Sequence, residues 1–395
     1  MSDSALRKVC IVTGTRADYG LLRWVIDGIH ISKQLQLQLV VTGMHLSPEF
    51  GLTVQQIEAD GYPIDWRVEM LLSSDTAVGI TKSMGLGLIG FADALAELQP
   101  DLLLVLGDRF EIIVVAQAAM VARIPIAHLH GGELTEGAFD DAIRHSITKM
   151  AHLHFVAAEE YRQRVIQLGE QPERVFCVGG LGIDSITRLN LLNRQQLEES
   201  LNFKLGKRNI LVTFHPVTLD NCSSAEQMSE LFSALDQLLD VHVVFTMPNA
   251  DTDSRVLFNM IETFVHDRPH ACVFTSLGQL RYLSCIQHVD GVVGNSSSGL
   301  TEVPFFRKPT VNIGDRQRGR LKAESVIDCP PKSAAIIESI SNALTPVFQR
   351  QLQQPFINPY GQGGASELVV SKLEETDFTD LLKKSFYTFQ SYQPQ

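Results

Sequence analysis

Nowhere in this 395-residue chain do two cysteines stand as a CxxC pair. The six, Cys10, Cys177, Cys222, Cys272, Cys285 and Cys329, are scattered, which excludes a zinc knuckle. Cys10 and Cys177 fall inside apolar strand patterns, where a free thiol packs as a small hydrophobe. The reading is therefore of reduced thiols and a cytoplasmic protein. No run of about twenty apolar residues offers a membrane span, and the opening MSDSALRK lacks the apolar stretch of a signal peptide. Positive charge is in deficit: 33 Lys and Arg against 45 Asp and Glu leave a formal net charge of −12. That balance excludes a general nucleic-acid or anionic-membrane surface, but not a local basic pocket for one phosphorylated ligand. The turn after the first strand, GTRADYG, is not GxGxxG, so the dinucleotide fingerprint is absent there. GxSxG is missing as well, so a Ser-His-Asp hydrolase has no support.

What is present is a globular composition, 45% hydrophobic and 20% charged. The chain is too long for one ordinary core, so two domains are expected. Short apolar strands alternate with amphipathic helices, the pattern of a doubly wound parallel sheet. The pattern runs once through residues 1–190, gives way to a polar helical stretch between Gly182 and Lys207, and restarts at Ile210 for residues 205–370. This predicts α/β architecture: two Rossmann-like domains facing one another across a cleft. A helix is predicted from Ala365 to Lys384, and the tail, 371–395, is expected to pack back on the first domain. Three glycines in MGLGLIG (84–90) suit close packing or approach to a ligand, or simply a helix start.

The densest chemistry lies between Leu102 and His145. A buried strand, Leu102 to Leu106, ends at Asp108 and Arg109; a second, Ile124 to Leu129, ends at His130 and Glu133; a helix then opens with Asp140 and Asp141 and carries Arg144 and His145. Ligands of open α/β sheets bind at these carboxyl ends. Such a mixture of acids, histidines and arginines fits acid–base chemistry. Burial would raise the Asp108 carboxyl, and Arg109 would oppose it; the competing account is a structural Asp–Arg pair. His128 and His130 share one face of a strand. A metal there is possible, but a buried, hydrogen-bonded histidine is commoner, so no metal and no cofactor are expected.

Elsewhere, Gly14 to Gly20 (GTRADYG) is a strand–turn–helix start in which Arg16 suits a phosphate, or is a surface arginine. Gly294 to Glu302 (GNSSSGLTE) puts three serines at a strand end, a donor-rich nest for phosphate oxygens. Glu302 could take two ribose hydroxyls, or serve as a capping-box glutamate. Arg316, Arg318 and Arg320 follow another strand, where phosphate neutralisation is the better use of them. His215, at a strand end of the second half, would face the first cluster.

At these residues the chain resembles the hydrolysing UDP-N-acetylglucosamine 2-epimerases of sialic-acid biosynthesis. The motifs are GTRADYG, TGMHLS, LGDRFE, IPIAHLHGGELTEG, DDAIRHSITKMAHLHF, RVIQLGE, FHPVT, GNSSSGLTEVP, NIGDRQRGR and NPYGQGGAS, in the family's order over nearly the whole length. The resemblance implies a fold like that of GT-B glycosyltransferases, a UDP-sugar substrate, no NAD and no obligatory metal. It implies removal of the C2 proton, expulsion of UDP to leave a 2-acetamidoglucal, and hydration to N-acetylmannosamine. It places Asp108, Asp140, Asp141 and Arg144 in the catalytic cluster, with Arg16, Ser296, Ser297, Glu302 and Arg316 on UDP and Arg109 and His215 near the diphosphate or sugar. Asp18, His45, His128, Asn249, Ser298 and Gly299 complete the expected substrate-binding set. Some relatives carry HIEGGE where this chain has HLHGGE, so a proton-transfer glutamate is replaced by His130. Either His130 takes that role or Glu133 does, with loop reach favouring Glu133. A homodimer is implied, as is an epimerase without the kinase domain of the animal enzymes. Two alternatives stand beside this reading. One is the same chemistry on UDP-2,4-diacetamido-2,4,6-trideoxyglucose for legionaminic acid. The other is a GT-B glycosyltransferase, which would need an acceptor to release UDP.

Overall fold

The computed structural model describes residues 6–389 except 75, 137–138, 218–222 and 249–253. Two parallel sheets carry the chain. The first holds β1 (Arg7–Thr13), β2 (Leu35–Thr42), β3 (Trp66–Val68), β4 (Leu102–Leu106), β5 (Ile126–Leu129), β6 (Leu153–Val156) and β7 (Val175–Cys177). Its order is β3-β2-β1-β4-β5-β6-β7. The second holds β8 (Arg208–Thr213), β9 (Val241–Thr246), β10 (Ala271–Phe274), β11 (Gly291–Gly294), β12 (Thr310–Ile313) and β13 (Val326–Cys329), ordered β10-β9-β8-β11-β12-β13. Helices cover both faces of each sheet, so central strands have no wet side. All five residues of β4, LLLVL, are buried, as near-continuous apolar runs in parallel sheets must be. Ile11 of β1 registers against Leu39 on one side and Leu104 on the other.

Strand order reverses at two places, between β1 and β4 and between β8 and β11. At such a switch point neighbouring loops leave in opposite directions and open a crevice at the carboxyl ends. The two crevices face each other.

Several expectations need correction. β13 and the helices Ser333–Ala343 and Pro346–Gln351 are additional elements at the edge of the second sheet. The last helix is Ala365–Glu375, shorter than predicted. Asp377 accepts from the Thr379 amide at 3.0 Å, a local turn that competes with further helix. The chain then runs irregularly over the first sheet's lobe. Cys177 is exposed rather than packed. Of the readings offered for the glycine-rich stretch, close packing is the one the structure shows, and a helix start is not. The stretch lies inside the helix Ala77–Leu98, where Gly87 fits against Met70 and Val114 and Gly90 against Val68. This 22-residue helix is also long and apolar enough by composition to cross a membrane, contrary to the sequence reading; it packs on the helix Phe110–Ala122 in the first lobe. Asn249 and Cys222 lie outside the described residues.

Candidate functional site

The facing crevices merge into one cavity of about 290 Å³. The first lobe supplies Thr15, Arg16 and Asp18 after β1, Gly107, Asp108 and Arg109 after β4, and Thr135 and Asp140 beyond β5. The second supplies His215 after β8, Ser296, Ser297, Ser298 and Glu302 after β11, and Arg316, Gln317 and Arg320 after β12. Twelve residues named from sequence, Arg16, Asp18, Asp108, Arg109, Asp140, His215, Ser296, Ser297, Ser298, Glu302, Arg316 and Arg320, therefore line one cavity.

The acid side is organised by Arg144. This residue is only 1% exposed. Its guanidinium donates to Asp108, to Asp141 Oδ1 at 3.3 Å, to the Thr135 hydroxyl at 2.8 Å and to the Glu133 carbonyl at 3.0 Å. Burial pushes its pKa well below the ordinary value, with Arg320 adding to the effect. Asp108 thus pairs with Arg144, not with its neighbour Arg109. Arg109 instead meets the wholly buried Glu111 at 3.3 Å, and burial raises that carboxyl despite the pairing.

Asp141 and Arg144 do not reach the cavity. Asp141 accepts from the Thr135 amide at 2.7 Å and faces His145 at 3.4 Å, fixing the loop before its helix. Glu133 is also behind the wall. Its carboxylate lies 3.1 Å from His130 Nδ1 and 3.1 Å from Arg320. Burial alone would raise Glu133, but Arg320 and His130 prevail and hold it below its ordinary value. The reach expected of Glu133 toward the substrate is spent on these partners. His130 takes a left-handed backbone (φ 61°) and, like Glu133, is not among the residues that line the cavity.

Three other residues expected on the substrate are structural. His45 is fully buried between the hydroxyls of Thr13 (3.0 Å) and Thr53 (2.8 Å). His128 is fully buried between the Thr148 hydroxyl (3.1 Å) and the Gly107 carbonyl (2.8 Å). Both are buried positions at which each ring nitrogen finds its partner locally. Gly299 backs onto β12, its carbonyl accepting from Thr310 at 2.6 Å. Among the described residues no cluster of acids, histidines and cysteines is grouped to hold a metal ion.

The two histidines set an acid limit on the fold. Burial lowers His45 to about 4 and His128 to about 3, from 6.5. The unfolded chain binds these protons first, so the stability is full above about 6.5 and is lost as pH falls through it toward 4. The His45 shift corresponds to about 3 kcal/mol at most. Urea midpoints should drop progressively between neutrality and pH 4; a flat profile would contradict the assignment.

On the opposite wall, Arg16 is held by backbone carbonyls of the second lobe, Met247 at 3.2 Å and Thr275. Burial lowers its pKa to about 10. Asp18, 5% exposed, is tied into its own turn, accepting from the Gly14 amide at 2.8 Å and from Thr15. His215 is fixed by reciprocal bonds with Asn295, at 2.7 and 2.9 Å. Arg316 donates to the Asn295 carbonyl at 3.2 Å. Arg318 faces outward to Glu136, so the arginine run divides: 316 and 320 inward, 318 to solvent.

Glu302 is not a capping-box residue. The short helix Ser298–Thr301 has Ser297 as its cap, without a side-chain capping bond, and Glu302 follows the helix. Burial raises the Glu302 carboxyl. A Cβ on Gly182 would stand 2.2 Å from Glu302 Oε1, so only glycine leaves that carboxylate its place. Gly182, Gln279 and Tyr282 line the cavity and were not anticipated. They sit on helices, away from strand ends, and carry no local signal; Gly182 lies in a polar stretch that reads as linker.

Comparison with known proteins gives the family and the fold. A family profile described as UDP-N-acetylglucosamine 2-epimerase matches residues 5–374. The chain is 44% identical over 323 residues to the GDP/UDP-N,N'-diacetylbacillosamine 2-epimerase (hydrolyzing) of Campylobacter jejuni, covering 82% of this chain and 84% of that one. It is 40% identical over 356 residues to the polysialic acid biosynthesis protein P7 of Escherichia coli, covering 90% of each. In fold it is similar to the UDP-GlcNAc 2-epimerase of Neisseria meningitidis bound to UDP-GlcNAc, with a TM-score of 0.78, 18% identity, and coverage of 93% of this chain and 100% of that one.

Proposed function

The chain belongs to the UDP-N-acetylglucosamine 2-epimerase family, and from that premise we propose that it converts UDP-N-acetylglucosamine and water into N-acetylmannosamine and UDP, supplying sialic-acid synthesis. The observation that carries the reading is the cavity where two switch points meet, acids on one wall and phosphate-binding groups on the other. The nucleotide is assigned mainly to the second lobe: Ser296, Ser297 and Ser298 donate to phosphate oxygens, Arg316 and, from the first lobe, Arg16 neutralise the diphosphate, and Glu302 accepts from ribose hydroxyls. The sugar then reaches toward Asp108 and Asp140.

In the first step a base takes the C2 proton, the electron pair forms C1=C2, and the C1–O bond breaks to release UDP. In the second, water adds its hydroxyl to C1 and a proton returns to C2 from the other face. Asp108 and Asp140 are the acids at the cavity wall suited to proton transfer. Cations around the diphosphate stabilise the departing charge. At the position where relatives carry glutamate, His130 with Glu133 behind it is assigned as the relay, because Glu133 orients its Nδ1.

The 44% identical relative, named for a diacetylbacillosamine, favours a second substrate reading: UDP-2,4-diacetamido-2,4,6-trideoxyglucose. Incubation in D2O with each sugar nucleotide separates the two. The preferred substrate should release UDP together with a 2-epimeric free sugar deuterated at C2. Unlabelled product would rule out proton abstraction, and a requirement for an acceptor would indicate a glycosyltransferase. Glu302→Ala should weaken UDP binding about tenfold, the loss of charge-assisted bonds; unchanged affinity in a titration would remove Glu302 from the ribose.

We also propose a homodimer. The helices Ala77–Leu98 and Phe110–Ala122 expose Val78, Ile89, Met120 and Val121, between 51% and 79% exposed, apolar surface that a second copy would cover. Ile89→Lys should shift the mass measured by light scattering toward the monomer.

A further inference from the structure

We propose that Lys384, in the segment after the last helix, is a positioning residue that sets the helix Asp140–Met150, and through it Asp140 in the cavity; the second clause rests on the catalytic reading of Asp140. The Lys384 ammonium donates to the carbonyls of Lys149 and Ala151, both at 2.6 Å. Lys149 is in the last turn of that helix and Ala151 is its C-cap. The same ammonium lies 3.0 and 2.9 Å from the two oxygens of Glu170. That carboxylate is only 3% exposed, and it also accepts from His154 Nε2 at 3.0 Å and from Lys149. A cation is thus seated, with its counter-ion, on the negative end of a helix dipole.

The opposite end of this 11-residue helix carries the chemistry. Asp140 lines the cavity, and Arg144, one turn on, holds Asp108. A rigid helix fixed at its carbonyl end cannot slide or tilt without moving both carboxylates. The segment bearing Lys384 is itself anchored. The Tyr387 amide donates to the Gly169 carbonyl at 2.8 Å, and Arg174 donates to the Leu381 carbonyl at 3.2 Å. Covering apolar surface is the work of Phe378 and Leu381, each 5% exposed. Lys384 adds only polar bonds, and these converge on the helix end and on the Glu170 carboxylate beside it. Location, not cover, is what a half-buried ammonium there supplies.

The test compares Lys384→Met, which keeps the stem, with Lys384→Arg and Phe378→Ala, using the full chain and UDP-N-acetylglucosamine or the diacetamido analogue, whichever it turns over. Well below the unfolding temperature, Lys384→Met should lower kcat about tenfold, as misplacement of a reacting group does, with KM and UDP affinity unchanged. Amide hydrogen exchange across residues 140–150 should quicken, and Lys384→Arg should restore both. Phe378→Ala should lower thermal stability and leave kcat alone. Lys384→Met with unchanged exchange and unchanged kcat overturns the proposal, as does an equal loss of kcat in Phe378→Ala. Faster exchange with unchanged turnover upholds the placement and sinks the catalytic reading of Asp140 instead. If Lys384→Met does not fold, Lys384→Gln is read in the same way.

Discussion

Asp108→Asn should lower turnover about 100-fold or more, the loss that follows removal of a positioned proton-transfer group. The substitution keeps the size of the side chain and removes only its charge and basicity. Asp108 lines the cavity while its carboxylate is held by Arg144, so the amide can still occupy the same place. The groups assigned to the nucleotide, Ser296, Ser297, Glu302 and Arg316, belong to the other lobe. UDP affinity should therefore be nearly intact. Initial rates of UDP release and a UDP titration read the two quantities separately. Equal turnover would take Asp108 out of the mechanism, whereas weakened UDP binding with normal turnover would mean that the two walls have been assigned the wrong way round.

The second large effect is expected at Arg144, which is not among the cavity-lining residues. Arg144→Met should cost about 3–5 kcal/mol of stability, as breaking a buried ion pair does. The reason is what is left behind: Asp108 and Asp141 lose a counter-charge, and Thr135 and the Glu133 carbonyl lose a donor. Turnover should fall as well, because Asp108 is then free to swing. Arg144→Lys should not rescue it. One ammonium cannot serve acceptors spread around a planar guanidinium. Urea denaturation checks the first statement and kcat the second. A variant as stable as the unsubstituted chain would show that the network is incidental.

The strands were legible because burial on both faces leaves an unmistakable apolar run. β4 has the bounds read from sequence, and β5 begins two residues later than read, at Ile126. The wall residues were legible for a related reason: loops at carboxyl ends of parallel strands collect polar chemistry, and Asp108, Ser296 and Arg316 stand in such loops. What failed was partner choice. Arg109 is next to Asp108 in sequence, yet consecutive residues leave a turn in different directions, and Arg144 comes in from a helix. Glu133 was assigned by reach along its own loop, whereas Arg320 arrives from the second lobe and captures it. His45 and His128 carry the motif but occupy the core, since a histidine between two local hydrogen-bond partners reads the same as one facing a ligand. Gly182 shows the deepest limit. Its importance lies in a missing atom that would collide with a carboxylate far along the chain.

The cavity has no floor belonging to one lobe. Each sheet contributes half of the enclosure, so neither half alone can hold a sugar nucleotide in register with an acid. A rigid-body opening of that seam, on the microsecond-to-millisecond scale of such motions, would tie substrate entry and product release to the separation of the lobes rather than to proton transfer.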